Sequence, residues 1–356
     1  MPLPEASDPL KIQTPFLMRF FNPASFASIS FLAAGLGLMA EDTPPVPILD
    51  GYRADPDIRV FGDTYYVYPT SDKANWNTTD FSAWSSKDLI HWKNEGMILD
   101  VAHNLSWAKI KAWAPTAEKR NGKYYFYFVA DSRIGVATSD SPAGPFVDAL
   151  GHPLIGPHDT PFKTYPIDPD IFIDDDGQAY LYYGNGSLAV VKLKPDMISM
   201  EGQPAAIPLV DKAQPFREGI FVFKRKGLYY FMWSVDDARS ENYRVAYGTS
   251  HSPLGPIEIP PDNLVLGKHG LAKGTGHHSV VNVPGTDRWY IVYHRHAIPG
   301  GNGYTREVCL NRLEFTEDGR ITPVDPLKET FPPNSAGEVI VNGKGSAADP
   351  LSATTH

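Results

Sequence analysis

Residues 54–68 read Ala-Asp-Pro-Asp-Ile-Arg-Val-Phe-Gly-Asp-Thr-Tyr-Tyr-Val-Tyr. Apolar and polar residues alternate along the first half, Gly62-Asp63 supply a tight turn, and aromatics carry the chain back, so the stretch predicts a β-hairpin. The layout returns four times. Trp113-Ala114-Pro115 leads to a turn at Asn121-Gly122, Ile167-Asp168-Pro169-Asp170 to one at Asp176-Gly177, Arg217-Glu218-Gly219 to one at Lys226-Gly227, and Gly276-His277-His278 to one at Asp287-Arg288. Each turn is followed by an aromatic-rich return run. Further strand pairs follow, as in residues 81–92, 135–146 and 244–256, the last two containing Ser-Pro-x-Gly-Pro turns. With no sustained helical period and roughly fifty-five residues per unit, five such units predict an all-β, five-bladed β-propeller. A two-sheet β-sandwich is the competing architecture.

The rest of the chain frames this domain, placed at residues 51–335. From Met18-Arg19 a short basic region passes into apolar and small residues ending at Ala40, the pattern of a secretory signal peptide with Met18 as the true start. Residues 1–40 are therefore read as a leader, 41–50 as a proline-rich lead-in outside the fold, and 336–356 as a C-terminal tail. A secreted or periplasmic protein is expected, with no membrane in its mature form. Nothing after the leader is long and apolar enough to span a bilayer. The formal net charge of −9, with no basic run, argues against a nucleic-acid partner. Cys309 is the single cysteine, which excludes a disulfide framework and predicts a small packed apolar residue.

Within the repeat, Asp55 lies ten positions before Tyr65, Ala114 ten before Tyr124, Asp168 twelve before Tyr180, Glu218 eleven before Tyr229 and His277 twelve before Trp289. These residues occupy nearly one register, at the start of the strand that lines a propeller's channel, so they should converge on the axis. Two or more converging carboxylates are what glycosidic bond cleavage needs: one protonated to serve the leaving oxygen, one ionised to serve water or the sugar carbon. A third carboxylate nearby raises the pKa of the acid. Asp57 and Asp170, two residues on, are the rivals for the two aspartate roles. Asp174-Asp175-Asp176 sit at the hairpin turn of Gly177 and read as solvated turn residues, without the alternate ligand spacing of a calcium loop.

At these positions the sequence resembles glycoside hydrolase family 43. Trp113-Ala114-Pro115, Ile167-Asp168-Pro169, the Glu218 segment and Gly274-Thr275-Gly276-His277 are similar to that family's signposts, in its order. The resemblance implies a five-bladed propeller that inverts the anomeric centre, with Asp55 as general base, Asp168 as the aspartate that modulates the acid's pKa, and Glu218 as general acid. It also implies that His277, the axial histidine, lies beside a calcium or other ion through water, no cofactor being required for the chemistry. Gly219-Ile220 depart from the proline that many members carry after the acid.

Residues 223–225, 233–240, 243–247, 276–280 and 293–301 resemble the exo-α-1,5-L-arabinofuranosidase branch. That implies release of terminal L-arabinofuranose from arabinan or arabino-oligosaccharides. The alternatives are a β-1,4-xylosidase, a bifunctional xylosidase/arabinofuranosidase, a retaining propeller with a carboxylate nucleophile, and a non-catalytic sugar-binding propeller, which has no need of three registered acids. The substrate partner in each case is an arabinose- or xylose-containing saccharide. Trp113, His277 and Arg295 are the candidate substrate-binding residues, Trp113 as a stacking platform and Arg295 as a donor to sugar hydroxyls. His294 and His296 alternate across a strand without a third ligand nearby, which speaks against zinc.

Overall fold

The computed structural model describes residues 44–328 except 210 and 212. The expected leader and the tail lie outside the described residues. Five antiparallel sheets follow one another along the chain, each with its strands in sequence order. The first comprises β1 (Arg53–Phe61), β2 (Thr64–Ser71), β3 (Asp80–Ser86) and β4 (Lys93–Asp100). The second comprises β5 (Trp113–Arg120), β6 (Lys123–Ala130), β7 (Arg133–Ser139) and β8 (Val147–Asp148). The third comprises β9 (Asp170–Ile173), β10 (Ala179–Tyr183), β11 (Ala189–Leu193) and β12 (Met200–Ala206). The fourth comprises β13 (Glu218–Arg225), β14 (Leu228–Val235), β15 (Arg244–Ser250) and β16 (Leu264–Leu266), and the fifth has three strands, β17 (Gly276–Asn282), β18 (Trp289–His296) and β19 (Arg306–Leu313).

The first strands pack in a ring: β1 touches β5 and β17, β5 touches β9, and β13 touches β9 and β17. This is a closed five-bladed β-propeller. Apolar layers fill the gaps between neighbouring blades, which is why the second strands read as near-continuous aromatic runs: a blade's central strand is buried on both faces. The tyrosines that this requires still find hydrogen-bond partners. Tyr68, Tyr127 and Tyr182 donate to the carbonyls of Pro142, Met197 and Pro253 in the next blade, at 2.6–2.7 Å. Two of these acceptors are supplied by the repeated Ser-Pro-x-Gly-Pro turns. Cys309 is buried in the layer between the fourth and fifth blades, and burial pushes its thiol up to about 12.

Two expectations change. The lead-in is part of the fold from residue 44 on: Leu49 is buried in the layer between the last and first blades, and Ile48 N–H donates to Val308 O on the free edge of β19. Extended proline-rich chain can cover an edge strand that would otherwise expose unpaired backbone. Asp174 is also more than a solvated turn residue. It accepts from Lys224 Nζ at 2.8 Å and from the Tyr229 hydroxyl at 2.5 Å, both on the fourth blade.

Asp57 and Asp170 are tied to Arg59 on the channel. Its Nε donates to both oxygens of Asp57 at 2.9–3.0 Å, and its Nη2 to Asp170 Oδ1 at 2.8 Å and Thr116 Oγ1 at 2.7 Å. Asp57 Oδ2 also takes the backbone N–H of Ala117, and Asp170 Oδ2 takes that of Val222. Three blades are thus joined by one guanidinium. Burial pushes Asp170 up to about 7 against the pull of Arg59. Arg59→Ala strands both carboxyls and is expected to cost about 3–5 kcal/mol near neutral pH. Urea unfolding followed by fluorescence should show the lower midpoint, with a smaller loss in acid as the stranded Asp170 carboxyl takes up a proton.

Candidate active site

The five inner strands begin with the same irregularity. The residues Asp55, Ala114, Asp168, Gly219 and His277 all adopt positive φ, from 37° to 61°. In four blades the pairing of the first two strands slips by one residue here, between Ala54 and Asp57, Trp113 and Thr116, Glu218 and Phe221, and Gly276 and His278. Each is a β-bulge, which bends the strand and re-aims the side chain. Four bulge amides are met by a side chain of the preceding blade: Asp55 N–H by His294 Nδ1, Ala114 by Thr70 Oγ1, Gly219 by Asp168 Oδ2 and His277 by Ser234 Oγ, at 2.7–3.2 Å.

This repeat corrects the register. The partner of Asp55, Asp168 and His277 in the fourth blade is Gly219, and Glu218 stands one residue earlier, in the row of Trp113 and Ile167. Gly219 has φ +61°, and a Cβ there would come within 3.0 Å of Ser234 Oγ and 3.2 Å of His277 Cγ, which accounts for glycine after Glu218. Both rows face one cavity of about 220 Å³, lined by Asp55, Trp113, Ile167, Asp168, Glu218 and His277 among others.

The three carboxyls differ in environment. Asp55 is buried, which opposes its charge, but the Arg306 guanidinium outweighs this with help from His277 and His294, and holds the carboxyl well below the usual range. All the close contacts are to Oδ1: Arg306 Nη1 at 2.9 Å, His294 Nδ1 at 3.2 Å and His277 Nδ1 at 3.3 Å. Arg306 is itself gripped by Asp72 through Nε, Nη2 and its backbone N–H, at 2.6–2.9 Å. Asp168 is raised well above its ordinary value by burial and by the neighbouring Glu218 and Asp55. Glu218 is pushed up to about 7, chiefly by burial and partly offset by the Tyr243 hydroxyl and Arg217. Both are raised while Asp55 is lowered, so a proton stays on this pair in the range where Asp55 is ionised. One ionised carboxylate and one proton-bearing pair form an acid–base set for glycosidic bond cleavage.

One wall is built from loops of three blades. Trp76, from the β2–β3 connection, donates Nε1 to Gly303 O at 2.7 Å and packs on Tyr304, ring centroids 4.7 Å apart. Trp113 donates Nε1 to Trp76 O at 2.7 Å. Arg239 stands over Trp76 and is paired with Asp237 at 2.6–2.8 Å. Trp76, Trp113, Asp237 and Arg239 all line the cavity.

Asp55, Asp168, Glu218, Trp113 and His277 are therefore brought together. Arg295 is not. It is buried, donates to Glu307 Oε1 and Pro45 O at 2.7 Å, and is directly opposite Glu307 in the β18–β19 pairing. Strand alternation turns it away from the axis; Arg306, opposite His296, is the arginine that reaches the cavity. His294 abuts Asp55, and His296 Nε2 lies 3.1 Å from Ala238 O. Sequence reasoning missed Trp76, Asn185, Arg306 and the Asp237–Arg239 pair. Only Trp76 carried a local signal, a tryptophan between asparagines in a polar loop. Among the described residues no group of three or more His, Cys, Asp or Glu is placed to hold a metal. An ion beside His277 would have to be held mainly by water.

Comparison with known proteins agrees with this geometry. The chain is 38% identical over 294 residues to a β-D-galactofuranosidase of Aspergillus niger, covering 78% of this chain and 84% of that one. It is 30% identical to xylosidase/arabinosidase 43A of Humicola insolens, covering 77% and 97%. Among solved structures, the GH43_1 enzyme from Xanthomonas citri complexed with xylose superposes with TM-score 0.70 at 28% identity, covering 81% of this chain and 95% of that one. The profile of the family described as "Glycosyl hydrolases family 43" matches residues 44–321, and with the propeller and its converging carboxyls the chain belongs to that family and is a glycosidase.

Proposed function

We propose that the protein is an exo-acting, inverting glycosidase that removes terminal α-L-arabinofuranose from arabinan or arabino-oligosaccharides. The observation that carries the reading is the shape of the cavity. Its 220 Å³ would hold about seven waters, the room of one sugar ring, and Trp76, Trp113 and Arg239 wall it on one side. Relatives named as arabinoxylan arabinofuranohydrolase and as xylosidase/arabinosidase point to the same sugars. β-D-galactofuranose is α-L-arabinofuranose with one more hydroxymethyl group on C5, so the galactofuranosidase relative shares the ring stereochemistry and supplies the second reading.

In the proposed reaction Asp55 acts as general base and Glu218 as general acid. Arg306 occupies Oδ1 of Asp55, with His277 Nδ1 on the same side, leaving Oδ2 to take a proton from water as that water's oxygen bonds to the anomeric carbon. The bond from that carbon to the glycosidic oxygen breaks, and the oxygen takes the Glu218 proton. Asp168 keeps the acid protonated at rest through its nearby carboxyl. Afterwards Asp55 bears a proton and Glu218 is ionised, and exchange with solvent restores both.

The test is a panel of 4-nitrophenyl α-L-arabinofuranoside, β-D-galactofuranoside and β-D-xylopyranoside, with products from linear arabinan resolved by size. The arabinofuranoside should have the highest kcat/KM, and arabinose should be the only early product from arabinan. A faster xyloside or galactofuranoside would reassign the sugar, and a ladder of oligomers would rule out exo action.

A further inference from the structure

The Gly274-Thr275-Gly276-His277 stretch contains a glycine that backbone conformation does not require. Gly276 has no positive φ, yet a Cβ there would fall 2.3 Å from Cδ1 and 2.4 Å from Cε1 of Tyr243. The space belongs to that ring. Tyr243 precedes β15 on the fourth blade and lies over the β17–β18 hairpin of the fifth, where Gly276 is paired with His294. The Tyr243 and His294 rings are stacked, centroids 5.5 Å apart and planes 9° from parallel. The outer ends of the stack touch the two carboxyls of the proposed reaction. His294 Nδ1 is 3.2 Å from both the backbone nitrogen and Oδ1 of Asp55, and the Tyr243 hydroxyl donates to Glu218 Oε1 at 3.0 Å. The other Glu218 oxygen, Oε2, accepts from Asn185 Nδ2 at 2.5 Å.

We infer that Tyr243 is a positioning residue for Glu218, and that the Tyr243–His294 stack, seated on Gly276, is the spacer that sets where the acid stands relative to Asp55. The inference rests on the reading of Glu218 as acid and Asp55 as base. An inverting site needs room for a water between its carboxyls and the sugar, so the separation of the two groups must be rigid. Paired aromatic rings buried between two blades supply that rigidity; both Tyr243 and His294 are fully buried. The Asn185 Nδ2 that faces Glu218 can only donate, whereas the tyrosine hydroxyl can rotate, donating to the carboxylate after proton transfer and accepting at other times. Ser234 Oγ is its other neighbour.

The discriminating variant is Tyr243→Phe, which keeps the stack and removes only the hydroxyl. An ionised Glu218 loses a donor, so its pKa rises. Activity requires the protonated acid, so the basic limb of the kcat/KM profile should move to higher pH, by about one unit. The other groups facing Glu218 are Arg217, Asp237, Asp55 and Asp168, and they are unchanged in the variant. On arabino-oligosaccharides kcat should fall about tenfold with KM nearly constant, and on 4-nitrophenyl arabinofuranoside, whose leaving group needs little protonation, the fall should be small. Gly276→Ala, which displaces the ring, should show the same leaving-group dependence with a larger loss. A general loosening of the fold would lower both substrates together and leave the limb in place; that result for Tyr243→Phe overturns the inference. Glu218→Gln measured in parallel separates the two levels. If it discriminates between leaving groups and Tyr243→Phe behaves as wild type, only the positioning role fails. If Glu218→Gln is fully active on both substrates, the acid assignment and the inference fall together.

Discussion

Glu218→Gln is expected to lower kcat/KM on arabino-oligosaccharides about 10²–10⁴-fold while sparing 4-nitrophenyl arabinofuranoside far more. The amide occupies the same space and can still meet the Tyr243 hydroxyl at Oε1, with the Asn185 amide turned over to present its oxygen to the new Nε2, so the cavity should survive; what disappears is the transferable proton. A sugar alkoxide leaves poorly without that proton, whereas 4-nitrophenolate is stable as an anion. The ratio of the two rates therefore measures the acid step and not binding. Equal losses on both substrates would remove Glu218 from the acid role and shift attention to Asp168, the other member of the proton-bearing pair.

Asp55→Asn should behave differently, with a loss of about 10³-fold or more whichever leaving group is used. Water must be deprotonated in either case, and an amide cannot accept the proton. The variant should still fold, because Arg306 keeps its bonds to Asp72. Single displacement also fixes the product: proton NMR on the wild-type enzyme should show β-arabinofuranose first, before mutarotation. An α anomer as first product would indicate double displacement, with Asp55 as nucleophile in place of base. A leaving-group-dependent loss in Asp55→Asn would contradict the base assignment by itself.

The contrast between the two variants depends on environments that chain order only partly reveals. Asp55 and Asp168 look alike in the sequence, each followed by proline and each two residues ahead of another aspartate. In the fold both are buried, which opposes their charge; Arg306 outweighs this and holds Asp55 ionised, whereas at Asp168 burial is reinforced by Glu218 and Asp55. Nothing local distinguishes them, because the charges responsible come from other blades. Asp57 and Asp170, their rivals, are set apart only by Arg59, which spends its donors on both.

The fivefold hairpin, the ring of first strands and the convergence of Asp55, Asp168, Glu218 and His277 were legible in the chain, since turn chemistry and two-residue alternation are local and repetition multiplies a weak signal. The one-residue offset of Glu218 was not, because a β-bulge changes which residue faces the axis without changing the hydrophobic pattern. The role of Arg306 in place of Arg295 was hidden for a related reason: both lie near the ends of strands in one hairpin, and only pairing with Glu307 or proximity to Asp72 separates them. Trp76, Asn185 and Tyr243 come from connections of unequal length, outside the repeat. Their side chains meet across blades distant in sequence, so tertiary packing alone decides the wall of the cavity, the grip on Glu218 and the spacing of the two carboxyls.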